Sequence, residues 1–428
     1  MLSDPRRQKS VRYIASEMMA CLIVAFLANC SSTYQAVAWC KRHVHYLQSL
    51  GLKLINGVAS YDTHQRMLRN MDTESFAQDF ILWMNELLCC CNLHLAIDGK
   101  GLRGGTEKII GQKTPYMLNV VNTQTGFVIA SIPICEKGSE LKSIPEALAL
   151  IAVAGNTFTI DAIGTYLEIM SHIIDEDGNF ILLVKRNNPD AYANLVSFFE
   201  TQRSTMERAK NNQQKPEQDY HYDSTGWKYE SNRERYEYRH CETIHYSEEL
   251  KNAELGENVF GLDSMLGRKR YLFNTVGMIT SVRIKKIRDE LGNDITPDLN
   301  SFMKSGSPIC PHPSIGDSEK DDIQRYGIIS NLELTAEELL GFKRMHWKCE
   351  TAHYVLDVTF REDFSSAKEA KYNASLFRKI AYNICKLARW HKLIPDHSST
   401  PIESREIAET PELMAKLLHD HLPMIIFD

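Results

Sequence analysis

Leu93-His-Leu-Ala-Ile-Asp98 and Phe158-Thr-Ile-Asp161 are the two stretches whose reading decides the fold. Each is a short apolar run of buried-strand length. Each stops at a carboxylate followed by a small residue, Gly99 or Ala162, that lets the backbone open. Between them, Tyr116–Val121 and Phe127–Ile134 are rich in β-formers and flank Asn122–Gly126, the composition of a hairpin loop. Ser143–Val153 has helical spacing, with Pro145 expected in its first turn. Beyond Asp161, Tyr166–Ile174 is helical, Phe180–Val184 a strand and Asp190–Phe199 helical. Strand, two-stranded hairpin, helix, strand, helix, strand, helix predicts an α/β chain with a mixed sheet and flanking helices.

That order is the one expected of a ribonuclease-H-like fold. Ahead of it, residues 1–90 read as a helical bundle, with apolar spacing through Val11–Leu27, Tyr34–Leu50 and Phe76–Leu88. Asp62-Thr63 and Asp72-Thr73 are placed as helix N-caps. The apolar run Met18–Cys30 is shorter than the roughly 20 residues a bilayer requires, so it is expected to be a buried helix and not a signal segment. The chain is accordingly expected to be soluble and cytoplasmic, with no membrane partner. Residues 201–235 turn polar, and Tyr236–Ile244, Arg270–Phe273, Val276–Lys285 and Tyr326–Ser330 look like strands, with loops over 286–322. This places a β-rich insertion at about 201–335. Thr335–Leu340, Phe342–Tyr354 and Ala370–Leu387 resume helical spacing, and an acidic tail follows. The expected domains are 1–90, 91–390 with the insertion, and 391–428.

Across 428 residues, 43% hydrophobic and 24% charged composition excludes a mainly disordered or fibrous chain. The net charge of −6 excludes global basic character, so any DNA contact has to come from local patches or metal ions. Residues 1–90 are slightly basic, with nine Lys/Arg against seven Asp/Glu. The eleven cysteines are odd in number, three of them consecutive at Cys89–Cys91, and none forms a C-x-x-C pair. That fits reduced thiols better than a disulfide framework or a zinc site.

Asp98 and Asp161 would meet at one sheet end if their strands are adjacent. Two carboxylates so placed repel unless a cation lies between them, and Mg²⁺ takes one or two carboxylates plus phosphate oxygens and water. The third candidate is Glu350 in Arg344-Met-His346-Trp347-Lys-Cys-Glu350, flanked on its helical face by His346 and His353. The bland alternatives stay open: a strand-end Asp more often caps a turn, and a helical Glu is more often a solvated charge. Asp357, Glu362 and Asp363 could bind metal as well, or pair with Arg344, Arg361 and Arg378. Lys100, Arg103 and Lys185 lie just past strand ends, where cations can hold phosphates without reading sequence. A plain surface cation is the equal alternative for each. His346 and His353 could orient a phosphate or water, or simply pack.

Several blocks in order resemble one family, the H-repeat-associated insertion-sequence transposases, a branch of the DDE transposases. They are Asp4-Pro5-Arg6 and Leu52–Gly57 near the start, Ala96-Ile-Asp98-Gly-Lys100-Gly-Leu-Arg103, Glu136–Glu140 with Ile144-Pro145-Glu146, and Thr159-Ile-Asp161-Ala-Ile-Gly164. Leu183-Val-Lys185-Arg-Asn187, Arg235-Tyr-Glu237-Tyr-Arg239 and Arg344–Glu350 through Phe360-Arg-Glu362-Asp363 complete the set. The resemblance implies a ribonuclease-H-like catalytic domain with Asp98, Asp161 and Glu350 as its Asp/Asp/Glu triad. It further implies two Mg²⁺ or Mn²⁺ ions, and cleavage and strand transfer of double-stranded DNA at the element's ends. DNA contacts are expected from Lys100, Arg103, Lys185, Arg235, Arg239, Arg344 and His346, in a homo-oligomer assembled on DNA. A catalytically inactive DNA-binding relative, or another metal-dependent nuclease on the same fold, is the alternative.

Overall fold

The computed structural model describes residues 11–88, 92–103, 114–134, 140–160, 167–185, 189–212, 221–231, 234–245, 274–300, 323–364, 370–395 and 399–421. It is a mixed α/β chain. Two compact units are formed, residues 1–156 with 346–428, and residues 157–345. These units cut the chain differently from the sequence boundaries at 90 and 390.

In the first unit the helices are α1 (Ala15–Leu27), α2 (Thr33–Arg42), α3 (Val44–Ser49), α4 (Tyr61–Asn70) and α5 (Thr73–Leu88). The apolar run forms α1, buried from Met18 through Leu27. The cap of α4 lies two residues earlier than Asp62: Ser60 Oγ accepts from the Thr63 N–H at 3.3 Å. Asp72 does cap α5, accepting from the Glu74 N–H and the Ser75 hydroxyl. Next come β1 (His94–Gly101), β2 (Tyr116–Asn122), β3 (Val128–Ile134) and α6 (Glu140–Leu148). The three strands pair antiparallel in the order β3-β2-β1. Pro145 lies inside α6, not in its first turn.

The second unit holds β4 (Thr157–Ile160), α7 (Leu167–Asp175), β5 (Asn179–Val184), α8 (Pro189–Asn211), β6 (His221–Ser224), β7 (Lys228–Ser231), β8 (Arg235–His245), β9 (Thr275–Lys285) and β10 (Ile323–Ser330). β4 and β5 are parallel, and the order continues β5-β10-β9-β8-β6 antiparallel, with β7 also on β8. The sheet is therefore mixed. The expected strand Arg270–Phe273 lies outside the described residues.

A single helix, α9 (Ala336–Val358), replaces the two expected stretches; it begins in the second unit and belongs to the first from His346 onward. Its first turns pack Ala336, Leu339 and Leu340 with Ile181, Ile279 and Ile328 of the second unit's core. The approach is close enough that a Cβ on Gly277 would lie 2.3 Å from Leu339 Cδ2. The first unit then resumes with a 3₁₀ turn, Glu362–Phe364, α10 (Lys371–Trp390), α11 (Thr400–Glu409) and α12 (Pro411–His421). The tail, read as acidic from its composition, is helical over its described part.

Helix α10 is the axis of the first unit. Its Asn383 bridges the edge of β3, with Oδ1 accepting from the Val128 N–H at 3.0 Å and Nδ2 donating to the Val128 carbonyl at 2.8 Å. Arg378 is 1% exposed, lies over the Phe26 ring, and donates to the carbonyls of Ser31, Phe360 and Ala374. Among the described residues, no helix is long and apolar enough to cross a membrane.

Candidate metal centre

Asp98 sits within β1, opposite Asn119 of β2, which is opposite Ser131 of β3. The expected break after Asp98 does not occur; pairing runs on to Gly101 against Tyr116. Glycine suits that place, because a Cβ at Gly101 would crowd the Tyr116 ring at 3.0 Å. Alternation then puts Asp98 and Lys100 on one face of the sheet. Helix α9 covers that face. Its His353 places Nδ1 3.6 Å from Asp98 Oδ2, and its Nε2 meets Asn119 Nδ2 at 3.0 Å. Asp98 Oδ1 accepts from the Gly99 N–H at 2.9 Å.

Lys100 is turned inward and not toward solvent. Its ammonium pairs with Asp357 at 2.5 Å and with Glu362, and reaches the His353 carbonyl at 3.4 Å. Glu362 in turn accepts from Ser375 Oγ at 2.6 Å and from Lys379 Nζ at 3.2 Å, and Lys379 is fully buried. Burial pushes the Glu362 carboxyl up, but Lys100 and Lys379 outweigh it and hold the group well below the glutamate range. Burial also dominates at Asp357, whose carboxyl stays raised despite Lys100. For Lys100 the two carboxylates overcome burial and raise its pKa. Asp357 therefore pairs with Lys100, and Glu362 with Lys100 and Lys379, where the sequence left metal binding and arginine pairing both open.

Glu350 is exposed on α9 between exposed Trp347 and Tyr354. Three helical steps set it roughly 60° around the helix from His353. Among the described residues, the three-donor cluster that forms is Asp98, Cys349 and His353, with donor atoms within 4.8 Å of one another. Glu350 is at its rim and not in it. Asp161, next after β4, lies outside the described residues. The other expected contacts divide. Arg103 and Arg344 are exposed, and Arg344 pairs with Glu230. Arg239 pairs with Glu230 at 2.9 Å and Glu237 at 3.0 Å, and Arg235 lies 3.8 Å from Glu237. Lys185 stands over the Tyr326 ring. His346 is buried.

The donor chemistry separates two kinds of metal. Burial, then Asp98 and Glu350, push the Cys349 thiol well above its ordinary range, so it is not the thiolate a soft metal requires. Burial also depresses the His353 imidazole to about 3, and its Nε2 already faces Asn119. The trio does not fit a thiolate-bound ion. Asp98, one-third exposed, and Glu350, exposed on the covering helix, are hard oxygen donors reachable from water, the kind of donor that Mg²⁺ and Mn²⁺ take. Asn119, Ser131 and Lys379 were not readable as site residues. A polar residue in an apolar strand shows its purpose only once the register is known.

The first 84 residues match the family described as DDE_Tnp_1-associated. Over 401 residues the chain is 29% identical to "Putative transposase YncI" of Escherichia coli O157:H7, covering 90% of this chain and 85% of that one. It is 25% identical over 391 residues to "Putative protein YbfL" of Escherichia coli K12, covering 90% and 88%. "H repeat-associated putative transposase YhhI" of the same strain is 26% identical over 186 residues, 43% of this chain and 49% of that one. The resemblance to the H-repeat-associated transposase family is thereby shown. Among solved structures, a piggyBac transposase synaptic complex with hairpin DNA aligns over 99% of this chain and 80% of that one, at 11% identity and a TM-score of 0.37.

Proposed function

We propose that the chain is a DNA transposase of a bacterial insertion sequence, with Asp98, Asp161 and Glu350 as a metal-holding triad on a ribonuclease-H-like catalytic domain spanning about 91–390. What supports this reading is one juxtaposition in a chain similar to transposases: Asp98 faces the helix that bears Glu350. When bound, two divalent ions supply an activated water or hydroxyl and stabilise the leaving oxygen at phosphorus. Asp98 and Glu350 offer oxygens to that site from β1 and α9, and Asp161 follows the end of β4. Lys100 locks β1 to Asp357 and Glu362, so its charge holds the site's frame together and is not spent on phosphate. Arg103 and Arg344 are exposed, Arg344 beside Glu230, and would meet the DNA backbone in this reading. In this reading the protein works as a homo-oligomer on double-stranded DNA in the cytoplasm.

The test is Mg²⁺- or Mn²⁺-dependent nicking of a duplex carrying the inverted repeats that flank the reading frame. Cleavage should fall to background in Asp98→Ala, Asp161→Ala and Glu350→Ala. End binding without cleavage by the wild type would mark an inactive relative, and cleavage without end preference another nuclease; either result refutes the transposase reading.

A further inference from the structure

Three strands line up one polar residue each beneath α9. Asp98, Asn119 and Ser131 are register partners, so their side chains share the face that α9 covers. His353 reaches down between the first two, 3.6 Å from Asp98 Oδ2 through Nδ1 and 3.0 Å from Asn119 Nδ2 through Nε2. Ser131 Oγ donates to Asn119 Oδ1 at 2.7 Å.

The polarity of this row follows from its Asp98 end. An ionised carboxylate only accepts, so the nitrogen facing it has to carry a proton. A neutral imidazole has one N–H, so a proton on Nδ1 leaves Nε2 an acceptor. Nε2 therefore needs a donor; the Asn119 amide NH₂ supplies it at 3.0 Å, with the Cys349 thiol, a weaker donor, 3.7 Å from the same nitrogen. The Asn119 carbonyl is then left toward Ser131, whose hydroxyl donates. Each link agrees with the next: the Asn119 NH₂ faces Nε2 and its carbonyl faces the Ser131 hydroxyl. The 3.6 Å separation exceeds a hydrogen bond; it is a dipole aimed at a charge. The other carboxylate oxygen is fixed by the Gly99 N–H.

We propose that His353, its ring oriented and its tautomer fixed by Asn119, is a positioning residue for Asp98 that sets the direction in which this carboxylate meets a divalent ion. The proposal rests on the metal-holding role of Asp98 given above. Partners of this kind around a metal ligand typically change metal affinity by roughly 10–100-fold.

Two measurements on the full chain test it. In metal-free protein labelled with ¹⁵N-histidine, long-range ¹H–¹⁵N spectra, with His353 assigned by the signals lost in His353→Asn, should show Nδ1 protonated and Nε2 bare. Titration with Mn²⁺ followed by electron paramagnetic resonance should show affinity about 10-fold weaker in His353→Ala. His353→Asn should restore most of it, because its amide nitrogen occupies the place of Nδ1. An Nε2–H tautomer overturns the proposal, and so does His353→Ala binding Mn²⁺ like wild type, or His353→Asn as weakly as His353→Ala. The tautomer reading needs no variant to bind metal. If wild type and Asp98→Ala bind Mn²⁺ equally, the metal role of Asp98 fails and the proposal falls with it, a pattern distinct from failure at His353 alone.

Discussion

Replacing Glu362 by Gln removes one charge from the most enclosed ionic cluster described in the protein. Glu362 is 3% exposed and its two oxygens serve Lys100 on one side and Lys379 with Ser375 on the other. Gln keeps the volume and one acceptor. Lys100 would retain Asp357, but Lys379, 0% exposed, would retain only the Ser375 hydroxyl among the partners seen here. Breaking a buried pair from one side costs about 3–5 kcal/mol, because a charge is left uncompensated in a medium that cannot solvate it. Replacing both partners removes that orphan, so Glu362→Gln with Lys379→Met should cost less than Glu362→Gln alone. The assay is urea unfolding at pH 7 of wild type, both single variants and the double, followed by tryptophan fluorescence. A Glu362→Gln loss under about 1 kcal/mol, or a double variant as unstable as the two singles added, would refute the uncompensated-charge account.

The same group sets an acid limit. Because the folded carboxyl is held below its unfolded value, near 4.3, its stabilisation is complete above that pH and is lost as pH falls through the depressed folded value; unfolding midpoints measured from pH 6 to 3 should fall less steeply in Glu362→Gln. Asn383→Ala strips Val128 of both partners and should cost about 2–4 kcal/mol in denaturant unfolding, from two unsatisfied buried backbone groups; a loss below about 1 kcal/mol would show that the edge of β3 is held otherwise. Gly277→Ala forces its Cβ against Leu339 and, at 3.1 Å, the Glu242 carbonyl, and should lower stability by about 1–3 kcal/mol; a thermal midpoint unchanged from wild type would count against close packing of α9 there.

Much of the architecture was legible because periodicity reports burial. The run Met18–Cys30 read better as a buried helix than as a signal segment, and β2, β3, β5, β8 and β9 were found within a residue or so of their ends. The failures have particular causes. Gly99 and Gly101 looked like breakers, yet β1 runs through them, since the Tyr116 ring occupies the space a side chain would have filled. Lys100 looked like a surface cation because its partners lie more than 250 residues away in sequence. Strands β6 and β7 were hidden in a polar stretch: Lys228 and Tyr229 are exposed and show no apolar alternation. Gly341 seemed to divide a helix that continues through it, in open space. At the site, the sequence named Asp98 and the helix of Glu350. It could not name Asn119 or Ser131, whose place depends on strand register alone.

Arg378 and its helix give the chain a problem of timing. The apolar surface of α1 comes to rest against α10 and α11, which are translated about 340 residues or more after it. At roughly 5–20 residues per second, a newly made α1 waits on the order of 20–70 s for that surface to exist. During synthesis it has α2 and the segment around Leu54, whose N–H donates to Glu17, for company. Helix α1 therefore has much to gain from a chaperone in the nascent polypeptide, and a fragment cut after α5 would keep that hunger permanently.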